Sequence, residues 1–189
     1  MNSRHWANLC HLFEPGSVVG VVLFPTMVTP VDGPLVFLAG PIQGAPHWQA
    51  DAIRWFTENA PAVSVASPRR QDRSQAFEYA AQVDWETHYL RRAADHGVIL
   101  FWLAHEAEHM PGRAYAQTSR FELAEWKMRH ERDGVRLVVG IEEGFSGERY
   151  IRHRFGQDCP RVPLLTTLPD VCAAAVALVG SVNYTLGQE

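Results

Sequence analysis

Two acidic segments stand out as places where this chain could do chemistry. One is Thr118-Ser119-Arg120-Phe121-Glu122-Leu123-Ala124-Glu125-Trp126, in which Glu122 lies between two apolar residues. The other is Gln82-Val83-Asp84-Trp85-Glu86. Burial of a carboxylate shifts its proton affinity, and two carboxylates from different elements meeting in one pocket can divide nucleophile and acid/base roles between them. Both segments also have ordinary readings. Ser119 with Glu122 three residues later has the spacing of a capping box, while Asp84 and Glu86 read as surface acids and Trp85 as helix packing.

A third pattern, His105-Glu106-Ala107-Glu108-His109, has the HExxH spacing of a zinc hydrolase. That chemistry needs both histidines on one face of a substantial helix, yet Pro111 and Gly112 follow at once. A solvated loop with no catalytic metal is the expectation. Gly40-Pro41-Ile42-Gln43-Gly44 is glycine-rich but matches neither a dinucleotide fingerprint nor a P-loop, so it implies no cofactor. It reads as a tight strand-to-helix turn whose backbone can approach a ligand closely. Ser67, Arg69 and Arg70 could meet a phosphate, with a solvated turn as the plainer reading.

The elements that must position these residues follow from hydrophobic periodicity. Short runs rich in Val, Ile, Leu and Phe recur at 35–39, 63–66, 98–102, 135–141 and 162–165. Their starts are 27 to 37 residues apart, close to the roughly 30 residues that a βαβ crossover requires. Trp48, Ala52, Trp55 and Phe56 form one helical stripe, and Tyr79, Val83, Leu90 and Ala94 another. Thr167-Leu168-Pro169-Asp170 reads as an N-cap with an early proline and a first-turn acid, opening a final helix to about 180. The expected fold is an α/β three-layer sandwich, flavodoxin-like or Rossmann-like, with a five-stranded parallel sheet in the order 2-1-3-4-5. Its ligand crevice would lie beyond the carboxyl ends of the first and third core strands, between the loop at Gly40 and the segment leading to Ser119. Residues 1–34 fall outside the alternation, although 18–24 could be a further strand; they are read as an N-terminal extension to a domain at 35–189.

Composition narrows the partner. Among 189 residues, 17 Lys and Arg against 21 Asp and Glu give a net charge of −4, without a long basic run. That excludes the electrostatic footprint of a general nucleic-acid binder and favours a small molecule. With 47% hydrophobic and 20% charged residues the chain is an ordinary globular one. The stretch 18–28 is broken by Pro25 and too short to span a membrane. Three widely spaced cysteines, Cys10, Cys159 and Cys172, point to a reducing compartment, with cytoplasm as the default.

At these residues the chain resembles the nucleoside 2-deoxyribosyltransferase-like family. The likeness rests on Phe37-Leu38-Ala39-Gly40-Pro41, on Gln82-Val83-Asp84-Trp85-Glu86, on Ala94-Asp95 before Val98-Ile99-Leu100-Phe101-Trp102, and on Phe121-Glu122 with Trp126 one turn later. The resemblance implies a flavodoxin-like fold, a homo-oligomer, and cleavage of the N-glycosidic bond of a nucleoside or nucleotide. It gives Glu122 the nucleophile's role, with the sugar passing to another base or to water. Asp84 and Glu86 become candidates for assisting base departure or positioning the sugar, and Gly40, Pro41, Gln43, Trp102 and Ser119 for lining the pocket. The sequence departs from the family pattern at Ala124, where many relatives have glycine, and at Ala116, where deoxyribosyltransferases proper have aspartate. The second departure points toward hydrolysis or a different substrate. An inactive module of the same fold that senses a nucleotide is the alternative from another functional class.

Overall fold

The structure is a computed structural model that describes residues 19–25, 28–71 and 78–186, for 181–186 the backbone only. In chain order the elements are β1 (Val22–Leu23), β2 (Leu35–Ala39), α1 (Trp48–Asn59), β3 (Ser64–Ala66), α2 (Tyr79–His96), β4 (Gly97–Leu103), α3 (Gln117–Asp133), β5 (Leu137–Ile141), α4 (Glu148–Asp158), β6 (Leu164–Leu165) and α5 (Leu168–Leu186). One parallel sheet runs β1-β3-β2-β4-β5-β6. The five core strands therefore take the order read from the sequence. The count does not: Val22 and Leu23 pair with Val65 and Ala66, so part of the N-terminal arm is a sixth, edge strand. The arm also packs inward, where the Thr29 backbone N–H and C=O both hydrogen-bond the Tyr89 hydroxyl at 2.8 and 2.9 Å.

Every residue of β2, β4 and β5 is buried, which explains why these strands read as continuous apolar runs rather than as alternating ones. Successive side chains leave on opposite faces and build two separate cores. Leu35, Phe37, Ala39, Ile99, Phe101 and Leu103 join one with Trp85, Tyr89, Leu123 and Trp126 from α2 and α3. Val36, Leu38, Val98, Leu100 and Trp102 join the other with Trp48, Phe56, Val171 and Ala175 from α1 and α5.

Two helix readings need correction. The buried face of α2 is Trp85, Tyr89, Leu90 and Ala93, while Tyr79 and Val83 are exposed. Packing against the sheet, not apolarity by itself, selected the face. The final helix runs to Leu186 rather than stopping near 180, and Val182, Asn183 and Tyr184 continue its backbone. Its start is as read: Thr167 Oγ1 accepts the Asp170 backbone N–H and donates to its carboxylate at 2.6 Å. Among the described residues no helix is long and apolar enough to cross a membrane.

Candidate active site

The switch point lies between β2 and β4, whose flanking connections lead to opposite sides of the sheet. The loop after β2 is clamped rather than free. Gly40 sits at φ 149°, and a Cβ there would stand 2.2 Å from the Trp102 carbonyl oxygen, so only glycine fits. The Pro41 carbonyl accepts the Trp48 indole N–H at 2.9 Å. Arg69 donates to the carbonyls of Ile42 and Pro46 and to the Gln49 side chain at 2.9, 3.2 and 2.9 Å. Gly44 then accepts the backbone N–H groups of Ala107 and Glu108, which ties this loop to the one after β4. Gly40 and Pro41 are thus held tightly at the start of the loop, and Gln43 is exposed. The guanidinium of Arg69 is occupied by loop acceptors, and Ser67 is fully buried, its Oγ without a partner among the described residues.

The segment after β4 is not helical between 104 and 116, so the HExxH residues do not share a helix face. His105 Nδ1 lies 2.9 Å from Glu142 and His109 Nδ1 3.0 Å from Glu106. Among the described residues no group of three or more His, Cys, Asp and Glu is arranged to hold a metal. The Tyr115 hydroxyl reaches the carbonyls of Ala104 and His105 at 2.7 and 2.9 Å, fastening the loop's far end back to β4. Burial, and next the charges of Glu106 and Glu142, raise the Tyr115 pKa and keep this hydroxyl a donor.

Helix α3 starts at Gln117, two residues before the expected cap. Its N-cap is Ala116, in the left-handed region at φ 55° and without a side-chain cap bond. The capping box between Ser119 and Glu122 therefore does not form: Ser119 is a buried first-turn residue and Glu122 lies in the second turn. Freed from capping, Glu122 flanks the buried face made by Ser119, Leu123 and Trp126. Its carboxyl is raised to about 7, first by burial and then by the negative charges of Glu86 and Glu125.

Glu86 comes from α2. Burial raises its pKa as well, opposed by a hydrogen bond from Gln82. The Gln82 amide nitrogen lies 2.8 Å from Glu86 Oε1 and 2.9 Å from the carbonyl oxygen of Pro68, just past β3. Asp84 is not part of this pair. Two residues along a helix is about 200° of rotation, so Asp84 and Glu86 leave α2 on nearly opposite sides. Asp84 instead borders an open recess of about 450 Å³ with His88, Arg91 and Asp95. Trp102 also lies apart: its indole packs on the α1/α5 side, across Gly140, and floors a shallow cavity of about 290 Å³ with Trp48 and Glu142. Of the acids singled out in the sequence, the fold brings Glu86 and Glu122 together. Arg69, read as a phosphate candidate or a solvated turn residue, clamps the β2 loop instead; Gln82 and Tyr115 have no role in the sequence reading, and only Gln82 carries a signal, its i,i+4 spacing from Glu86.

The charge of Glu86 on α2 acts on Glu122 on α3, which holds its proton up to neutral pH. Such a pair can serve as acid, base or nucleophile on one small ligand. The nucleoside 2-deoxyribosyltransferase-like family matches residues 33–145, more than half of the chain. The chain belongs to this family. Every residue of the acid pair and of the clamped loop falls within the family span, which runs from just before β2 to the turn after β5. Against curated proteins the chain has no match.

Proposed function

We propose that the protein cleaves the N-glycosidic bond of a nucleoside or nucleotide, with Glu122 as nucleophile. The observation that carries this reading is the half-buried Glu122 carboxyl on α3, raised to about 7 by desolvation and by the charge of Glu86 on α2, within the family span. A Glu122 oxygen bonds to C1′ of the sugar while the C1′–N bond breaks and its electron pair leaves with the base, which takes up a proton. Positive charge builds on the sugar in the transition state, and a carboxylate next to C1′ stabilises it before capturing it. Water, or a second base, then attacks C1′ from the other side and the glutamyl ester breaks, giving net retention. Glu86, tethered by Gln82, bears on the charge of Glu122 and orients the sugar. Small nucleosides or nucleotides are the partners, and the family resemblance adds a homo-oligomer.

The test is incubation with a panel of ribo- and deoxyribonucleosides and their 5′-monophosphates, with chromatography for free base. Base should be released from at least one of them, and Glu122→Gln should abolish the release while binding survives. A 2-fluoro-substituted nucleoside should leave a sugar-sized mass adduct on the peptide carrying Glu122. Binding without release from any substrate would instead identify a nucleotide-sensing module, and an adduct on Asp84 or Glu86 would move the chemistry to another carboxylate.

A further inference from the structure

The side chain of Gln82 bridges α2 and the segment just past β3. One amide nitrogen reaches both Glu86 Oε1 and the Pro68 carbonyl oxygen, at 2.8 and 2.9 Å. A backbone carbonyl can only accept, so the contact with Pro68 fixes which end of the amide faces inward. The NH2 group points at Pro68 and Glu86, and the amide oxygen points away. Glu86 is thus offered a donor and no acceptor. A carboxylate can use that donor fully; a carboxylic acid, which needs an acceptor for its own O–H, gains less.

Among the described residues Glu122 has no comparable donor to its carboxyl, and the charges that raise it are those of Glu86 on α2 and Glu125 on α3. Glu125 is already held by Arg129, at 3.0 and 2.8 Å. On the β3 side, Arg69 next to Pro68 is engaged by Gln49 and the β2 loop. We propose that Gln82 is a positioning residue for the acid pair: its amide fixes Glu86 as the charged member and leaves Glu122 as the member that holds the proton in the resting protein. The catalytic consequence rests on the reading of Glu122 as nucleophile, because the attacking oxygen is available only once that proton has left.

The two titrations can be followed directly, without any substrate, by NMR of the full-length protein labelled with 13C at the glutamate carboxyl carbons. Glu86→Gln and Glu122→Gln assign the two signals. In the wild type the midpoint of Glu86 should lie below that of Glu122. Gln82→Met keeps the side-chain length and removes the donor; the Glu86 midpoint should then rise by about one pH unit and that of Glu122 should fall. A purely structural bridge would leave both midpoints where they were. The inference is overturned by a reversed order in the wild type, which needs no variant to fold, or by unmoved midpoints in folded Gln82→Met. On any nucleoside the wild type cleaves, the acid limb of the kcat/KM profile should move down in Gln82→Met. Base release with a reversed order of titration would defeat this inference alone, whereas the expected order without base release would defeat only the reading of the nucleophile.

Discussion

Replacing Glu122 by glutamine should make the protein more stable and less active at once, and the gain in stability should depend on pH in a defined way. In the unfolded chain the carboxyl titrates near 4.5, and in the fold at about 7. Between those values the folded protein holds a proton that the unfolded chain has released, so stability falls as pH rises through this window and the penalty is complete above pH 7. A displacement from 4.5 to about 7 corresponds to roughly 3 kcal/mol for the charged form. Glutamine has nearly the same shape and no charge at any pH, although its own amide must be desolvated. The net gain at pH 8 should therefore be about 2 kcal/mol, or about 4–8 °C in melting temperature for a domain of this size. Near pH 4.5 it should vanish, because the wild-type residue is protonated in the fold there as well. Thermal or urea unfolding of both proteins at pH 4.5, 6 and 8 measures the difference, and other titrating groups cancel in the comparison. On a cleaved nucleoside, wild-type kcat/KM should climb about tenfold per pH unit below 7 and level off above it, reporting the free protein's Glu122. A stability difference of the same size at all three pH values would refute the argument, since it would show that the charge on Glu122 is not what opposes folding.

Other perturbations test the frame that holds the pair. Gly140→Ala would place a Cβ 2.3 Å from the Trp102 ring and 2.5 Å from Val171, so about 2 kcal/mol should be lost in urea titration from overpacking of the α1/α5 core. Ala116→Gly should stabilise by about 0.5 kcal/mol, because glycine takes φ 55° without the Cβ clash; a loss of stability would show that Ala116 is unstrained. Arg69→Ala removes the donors to Ile42, Pro46 and Gln49 and should speed proteolytic nicking of the β2 loop, which lysine, lacking the planar fork, should not reverse. His109→Ala alters only an exposed loop pair with Glu106, so any base release should be unchanged by it and by a chelator; a loss in either case would revive the metal reading.

The sheet was legible because its strands are buried on both faces: nothing else in the chain produces runs such as Leu35–Ala39 and Leu137–Ile141 at crossover spacing. Strand β1 was harder to read, since two paired residues at an edge carry almost no pattern and Pro25 follows at once. The face of α2 differs from the reading because Tyr79 and Val83 fit a helical stripe as well as Trp85 and Tyr89 do, and burial against the sheet, as in the packing of Trp85 on Phe37, selects between them. For the site, Glu122 stood out as an acid among apolar residues, but the capping box assigned to it depended on where α3 begins. That start is set by a left-handed Ala116, a choice no propensity favours. The separation of Asp84 from Glu86, by contrast, was available from helix geometry alone.

The unfavourable features of this fold gather at one edge of the sheet. Glu122 opposes folding whenever it is charged, Ala116 holds a backbone conformation that favours glycine, and Glu86 is a half-buried acid whose charge acts on Glu122. Of these, only Ala116 packs against a core, and the two acids lie outside both clusters. A protein with continuous buried strands can tolerate a few kcal/mol of local opposition, provided the groups involved are held from elsewhere. Here the holding is visible: Gln82 joins Glu86 to the end of β3, Tyr115 fastens the approach to α3, and Arg69 clamps the opposite loop. The surroundings of the acid pair are therefore held by donors that each reach at least one backbone carbonyl. Substitutions that relieve its electrostatic tension should stabilise the protein, while those that release its tethers should let the two carboxyls move apart.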